Sequence, residues 1–382
     1  MTRVLLATVR LLEFLEGAGH FWVYMQYAQA LRRLGCDVYL LDSSVWSDEP
    51  PDPRRVREFL ERMTRYGLEG RVIVNSNGVA GRRTETGSCF DMADSELPDL
   101  LSSVDLLLNF NYHLSEDVVA AVRRSALVDI DPGLLQFWIS RGFISPAAHD
   151  LYFTVGETVG NQPNLIPDCG IEWLRIRPPV CLELWPYTFD GEADAFTTVS
   201  TWWGKWDYVG DPESYYDNTK RTAFLDFINL PGHTDQPLEL ALYFAESDGP
   251  DRRSLEDHGW RVRHSRDVAG SPESYRAYLQ RSRGEFSWAK ASCMKFQNAW
   301  VSDRSLCYLA SGKPVVVQHT GSSSYLPDGE GMFRFKTLAD AARAFESINS
   351  DYEHQCRLAR SVAEEYFDSK TVVSRMLERA LT

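Results

Sequence analysis

Apolar positions fall into short unbroken runs, and these alternate with longer stretches whose apolar residues recur at helical spacing. Residues 4–9 read as a buried strand, 20–34 as a helix ended by Gly35, and 36–42 as the next strand, which makes a βαβ unit. A Pro- and Asp-rich loop at 50–53 leads into a helix over 54–66, and strands are expected at 71–74, 104–109, 126–130 and 151–155. The most linker-like stretch is Asp190-Gly191-Glu192-Ala193-Asp194, and a second series follows it: strands over 196–202, 238–244 and 260–263, and a helix over 218–229. Ser302 and Asp303 are suited to cap a helix over 304–311. Gly312 ends it, Pro314 forbids its continuation, and the strand 315–317 runs into the small-residue loop Thr320-Gly321-Ser322-Ser323-Ser324. Amphipathic helices over 338–349, 352–366 and 370–381 close the chain and read as packing elements.

Alternation of β and α implies mainly parallel sheets covered on both faces. With 382 residues the chain exceeds what one hydrophobic core usually serves, so two domains are expected. The architecture is then α/β, with two doubly wound Rossmann-like domains facing each other across a cleft. One spans 1–188, completed by 370–382, and the other spans 189–369. No fixed-period repeat is visible, which excludes a solenoid.

A 44% hydrophobic, 25% charged composition is that of a soluble globular protein, and the formal charge of −14 argues against a polyanion such as nucleic acid as main partner. A pyrophosphate-sized ligand needs only local amides and a few cations. The seven Cys are scattered and form no CxxC pair, which fits a reducing compartment and gives no zinc cluster. Arg10 and Glu13 interrupt the N-terminal apolar run before a signal-peptide core is reached, and no run has membrane-spanning length. A cytoplasmic location without an integral membrane segment is the expectation. Oligomeric state is not legible.

Candidate chemistry lies in loops after strands. Gly17-Ala18-Gly19-His20 resembles a dinucleotide fingerprint with Asp42 as ribose ligand, but Trp22 stands at the third glycine position and the loop is too long for the tight turn. A nicotinamide or flavin oxidoreductase is therefore the weaker choice. His20 opens a helix, where the dipole favours the neutral imidazole a general base needs; capping or packing under Trp22 is the alternative. Asp129 and Asp131 stand two apart near a strand end before Pro132, so their repulsion would raise one pKa, with Asp131 as base or as ordinary turn residue. Gln136 and Trp138 follow as candidate cleft residues. Trp202, Trp203 and Trp206 offer a stacking floor or an aromatic plug, with Lys205, or Lys220 and Arg221, as phosphate partners. Glu285 is suited to accept hydrogen bonds from hydroxyls or to stabilise a helix start.

The order of a capped helix, Ser311-Gly312-Lys313-Pro314-Val315-Val316-Val317 and a Thr320-Gly321 loop resembles the donor half of bacterial-type GT-B glycosyltransferases. The Gly17 to His20 loop resembles their first loop. Many retaining members carry two Glu eight apart here, and the matching Ala299 and Cys307 are not acidic. The resemblance implies transfer of a hexosyl or deoxysugar group from a nucleotide-sugar to a small-molecule or glycan acceptor, with no bound metal and no cofactor beyond that co-substrate. It implies donor contacts at Gly17, Gly19, Trp203, Gly204, Lys205, Lys220, Glu285, Asp303, Arg304, Ser305, Thr320, Gly321 and Ser322, and an acceptor-side base at His20 or Asp131. Epimerisation of a nucleotide-sugar, pseudo-glycosyl transfer and non-catalytic binding are the alternatives.

Overall fold

The first apolar run becomes β1 (Arg3–Val9), with Val4 to Ala7 wholly buried, as a strand covered on both sides by helices requires. The structure, a computed structural model, describes residues 1–43, 52–75, 96–160, 165–203, 208–209 and 216–382. It divides into two units, Met1–Pro179 with Ser369–Thr382, and Val180–Asp368. In the first, β1 is followed by α1 (Ala18–Arg33), β2 (Asp37–Ser43), α2 (Pro53–Arg65), β3 (Val72–Asn75), α3 (Leu97–Ser103), β4 (Leu106–Asn109), α4 (Glu116–Ala120), β5 (Ser125–Asp129), α5 (Leu134–Ser140), β6 (Leu151–Thr154) and β7 (Trp173–Arg175). The seven strands form one parallel sheet in the order β3-β2-β1-β4-β5-β6-β7. Winding reverses between β1 and β4, so the loops beyond their C-terminal ends flank the crevice where open α/β sheets take ligands.

α1 buries Phe21, Trp22, Tyr24, Met25, Ala28 and Leu31, because the sheet takes one side of it and the C-terminal helix Ser369–Leu381 packs on another. That last helix therefore belongs to the first unit although the chain reaches it through the second. Gly35, at φ +81°, ends α1 in the left-handed turn expected of it.

The second unit contains β8 (Phe196–Thr201), the short pair β9 (Tyr208–Val209) and β10 (Tyr216–Asp217), α6 (Lys220–Leu225), β11 (Leu238–Tyr243), α7 (Gly249–Asp257), β12 (Arg261–His264), α8 (Ser265–Ala269), α9 (Pro272–Arg281) and β13 (Gly284–Ser287). Then come α10 (Ala291–Phe296), α11 (Asp303–Ala310), β14 (Val315–Gln318), β15 (Met332–Phe335), α12 (Leu338–Ser350) and α13 (Tyr352–Val362). Six strands form a parallel sheet in the order β12-β11-β8-β13-β14-β15, with the reversal between β8 and β13. Its core is aromatic: Phe196, Trp202, Phe224, Phe286, Trp288, Phe335 and Phe345 pack together. Trp202 thus belongs to the core and not to a ligand floor.

The helix expected over 218–229 is confined to Lys220–Leu225, since Asn229, Pro231 and Gly232 force a 3-10 turn over Leu230–His233 instead. The strands β7, β13 and β15 were not expected, since Arg175, Gly284 with Glu285, and Arg334 leave no unbroken apolar run in them. Gly331 leads into β15 at φ +74°, and a Cβ there would lie 2.2 Å from the Ala359 nitrogen, so only glycine brings this strand against α13.

Candidate functional site

Beyond the ends of β1, β2, β4 and β5 the first unit gathers ionisable side chains. His20 is the third residue of α1, and its Nε2 donates to the Val9 carbonyl at 2.6 Å. A carbonyl only accepts, so the neutral ring carries its proton on Nε2 and keeps its lone pair on Nδ1. The imidazole stands edge-on between Phe14 and Tyr24, at centroid distances of 6.0 and 5.1 Å. Burial lowers its pKa, while Asp42 and Asp131 act in the opposite sense, as does the bond to Val9. Sequence placed the neutral form there on the helix dipole; in the structure burial is the first cause of the lowering.

Asp42 is buried at the end of β2 and accepts from Thr8 Oγ1 at 2.9 Å and from the Leu11 and Leu12 amides at 2.9 and 3.0 Å. Its two oxygens thus bind the loop after β1, which answers the dinucleotide alternative with a structural role. Gly17 caps α1 and Gly19 lies in its first turn.

The paired carboxylates differ sharply. β5 stops at Asp129, so Asp131 lies in the turn before α5 and not on the same strand face as expected. Asp129 is fully buried and accepts from Gln136 Nε2 and Thr154 Oγ1, both at 2.7 Å, and from the Asp131 amide at 3.0 Å. Burial pushes its pKa up to about 6, against the lowering effect of those bonds and with a smaller upward push from Asp131. Asp129 is thus a buried hub tying β5, β6 and α5, whereas the partly exposed Asp131 is the member near His20. Tyr112, which sequence did not single out, donates to Asp129 at 3.5 Å, and burial raises its pKa well above the usual range. A Tyr after an apolar strand carries no distinguishing local signal.

In the second unit, Arg304 and Glu285 face each other. Glu285 is wholly buried on β13, and Arg304, in the first turn of α11, donates from Nε to Glu285 Oε1 at 2.6 Å and from Nη1 to the Val199 carbonyl at 2.8 Å. Arg304, expected at the donor, is thus engaged by Glu285, and Glu285 is not open to hydroxyls as expected: the pair clamps α11 to β13 and β8. Below it Thr197 Oγ1 bonds Tyr308 OH at 2.6 Å and Ser282 Oγ at 2.7 Å, continuing a buried polar network. Ser302 caps α11 as expected, accepting from the Arg304 amide at 3.3 Å, with Asp303 next.

The Thr320 loop packs against the segment before α11. Thr320 Oγ1 donates to the Trp300 carbonyl at 2.8 Å, and the Ala299 amide donates to the Thr320 carbonyl at 3.1 Å. Gly321, at φ +135°, passes so close that a Cβ would lie 2.6 Å from the Gln297 carbonyl oxygen. Gln297 and Ala299 both have positive φ, +50° and +56°, an unfavourable conformation held by this contact. Ser322 is exposed. Ser305 is buried beside a narrow pocket at the ends of β13 and β14. Lys313, the basic residue of the SGKP segment, is buried at the other end of β14.

Trp203 is 45% exposed, donates to Asp248 Oδ1 at 3.0 Å, and lies under the Arg221 guanidinium at 5.4 Å. Arg221 in turn forms a two-point ion pair with Asp251, at 2.6 and 2.9 Å, so it is already paired. Lys220 begins α6, and its carbonyl accepts from Trp288 Nε1 at 2.9 Å. Gly204, Lys205 and Trp206 lie outside the described residues. Among the described residues no group of three or more His, Cys, Asp or Glu side chains could hold a metal ion, and no helix is long and apolar enough to cross a membrane.

No family model matches the chain, and no curated protein matches it in sequence. Solved structures do match. The sucrose-phosphate synthase from Thermosynechococcus elongatus superposes at a TM-score of 0.58 with 12% identity, over 99% of this chain and 98% of that one. An alpha-glucosyltransferase in complex with UDP and a 13-mer DNA containing a HMU base gives 0.63 at 11% identity, over 100% and 99%. Anabaena Alr3699/HepE in complex with UDP and glucose gives 0.56 at 11%, over 99% of both chains. The chain has the GT-B glycosyltransferase fold. Both of its sheets take part in the match, since nearly the whole of each chain is covered.

Proposed function

We propose that the chain is a nucleotide-sugar-dependent glycosyltransferase acting on a small-molecule or glycan acceptor. The observation that carries this is whole-length likeness to a sucrose-phosphate synthase, to an alpha-glucosyltransferase with UDP and to HepE with UDP and glucose. The chemistry of each unit supports it separately. In the first unit His20 acts as general base through Nδ1: it takes the proton of an acceptor hydroxyl, whose oxygen then attacks the anomeric carbon as the bond to the nucleoside diphosphate breaks. Asp131 is the alternative base, and Asp129 holds its turn. In the second unit the start of α11 and the Thr320 to Ser322 loop hold the donor, with α11 fixed by the Arg304–Glu285 clamp.

Charge on the departing diphosphate is met by loop amides and helix starts without a bound metal. Asp129 supports this, because both of its oxygens are taken by protein donors. A formal charge of −14 favours an acceptor other than nucleic acid, although one structural relative was solved with DNA.

The test is a thermal-shift screen of UDP, GDP, ADP, CDP and dTDP, followed by product detection with the matching sugar nucleotides. A ligand at a hundred times its Kd adds about 2.7 kcal/mol. Stabilisation by one nucleotide and sugar transfer that survives EDTA are expected. Binding without transfer would reassign the chain as a binding protein, and loss with EDTA restored by Mg²⁺ or Mn²⁺ would overturn metal independence.

A further inference from the structure

Ser305 is the third residue of α11, an eight-residue helix, and its hydroxyl is buried without a hydrogen-bond partner among the described residues. Buried hydroxyls nearly always have one. The neighbours of Ser305 do: Ser302 Oγ accepts from the Arg304 amide, and Arg304 is bound to Glu285.

Independently of that, Ser305 lines a pocket closed by Ser287 and Trp288 from the end of β13, Gln318 from the end of β14, and Trp300 and Thr320 from the adjoining loops. The pocket leaves room for about one water-sized group, 10 Å³. Two of its other polar side chains are turned to the backbone, Gln318 Oε1 accepting from the Ala289 amide at 2.9 Å and Thr320 Oγ1 donating to the Trp300 carbonyl. A phosphate, with several oxygens, does not fit such a space. One carbonyl or hydroxyl does, and a serine hydroxyl can donate to the first or exchange bonds with the second.

We infer that Ser305 is a specificity-determining residue that reads a single oxygen of the donor's nucleoside, a base carbonyl or a ribose hydroxyl, seated in this pocket. The inference rests on the nucleotide-sugar function proposed above and names where the nucleotide is discriminated. It assigns no role to the sugar.

Isothermal titration of the full chain with UDP, 2′-deoxy-UDP, CDP, GDP and ADP tests it, using wild type, Ser305→Ala and Ser305→Val. Wild type should prefer one nucleotide. Ser305→Ala should weaken that nucleotide about tenfold, the scale of one hydrogen bond, and erase its preference over the analogue lacking the oxygen. Lost discrimination between UDP and CDP marks the base, and between UDP and 2′-deoxy-UDP the ribose. Ser305→Val, which fills the space, should weaken binding at least as much. Both variants should melt at or above the wild-type temperature, since each removes an unsatisfied buried hydroxyl. An unchanged preference in Ser305→Ala would mean a resident water satisfies the hydroxyl and would overturn the inference, as would an equal loss for all five nucleotides or a wild type without preference. If wild type binds none of them, the nucleotide-sugar function itself fails, a result distinct from binding that ignores Ser305.

Discussion

The two sheets reverse winding in the same manner, yet the side chains around the two reversals are of opposite character. At the ends of β1, β2, β4 and β5 lie groups whose charge depends on pH: His20 with its pKa lowered, Asp129 raised to about 6, Asp42 raised by burial. Around β8 and β13 the strong charges are spent on each other, Arg304 on Glu285, and what lines the pocket is a set of hydroxyls, amides and indoles. A shared topology therefore supports two kinds of work. Titratable groups shifted by burial suit proton transfer, while a neutralised clamp beside a small pocket suits holding a ligand in fixed geometry.

The contrast is most exposed to a kinetic test. His20→Ala should lower turnover by about 10²–10⁴ while leaving nucleotide affinity nearly unchanged, because the proton acceptor and the nucleotide contacts belong to different units. The acid limb of the wild-type pH–rate profile should lie below pH 6.5, the ordinary value from which His20 is lowered. Asp131→Asn is the matched variant. Near-wild-type rates in both would place the base elsewhere, and a product of retained anomeric configuration would exclude direct displacement.

The clamp should respond in stability. Arg304→Ala leaves Glu285 buried and unpaired, which costs roughly 3–5 kcal/mol. The expected result is early unfolding of the second unit in urea, with faster amide exchange in β13 and α11. Replacing both partners by apolar residues, Arg304→Met with Glu285→Met, should restore most of that loss. Wild-type stability in Arg304→Ala, with nucleotide binding alone abolished, would show instead that Arg304 serves the ligand.

Asp129 offers a test by pH. It holds its proton more tightly folded than unfolded, so its burial costs stability above about pH 6, and the cost is relieved as pH falls towards the ordinary 3.8. Asp129→Asn should flatten the stability of the first unit across that interval, by an order of a few kcal/mol. An unchanged slope would remove Asp129 as its source.

The smallest effect is expected at the rim. Arg221 and Asp251 are partly exposed, 30% and 19% at the side chain, so Arg221→Ala should cost about 1 kcal/mol or less in a denaturation series. A loss of nucleotide affinity beyond tenfold would instead give Arg221 a place at the phosphates.

Much of the fold was legible in the sequence, because buried parallel strands announce themselves as apolar runs. The chain 315–317 was read as a strand and is one, extended to Gln318, and the capped helix before it begins within one residue of expectation. The edge strand Met332–Phe335 escaped, since Arg334 interrupts its apolar run, whereas Val315 to Val317 is unbroken. Of the candidate site, the local signals survived: Ser302 caps, Gly35 turns, His20 opens its helix.

What the sequence determined by itself is whatever depends on neighbours along the chain: alternation, caps, glycine turns and the presence of two α/β series. Tertiary structure alone decided which charges meet. Arg304 pairs with Glu285 nineteen positions away, Asp42 binds amides thirty and thirty-one positions back, and Asp129 takes a raised pKa because the fold buries it. The physical reason is that the energy of a charge is set by its solvation and by partners within a few ångströms, and both are properties of a packed interior that no local spacing encodes.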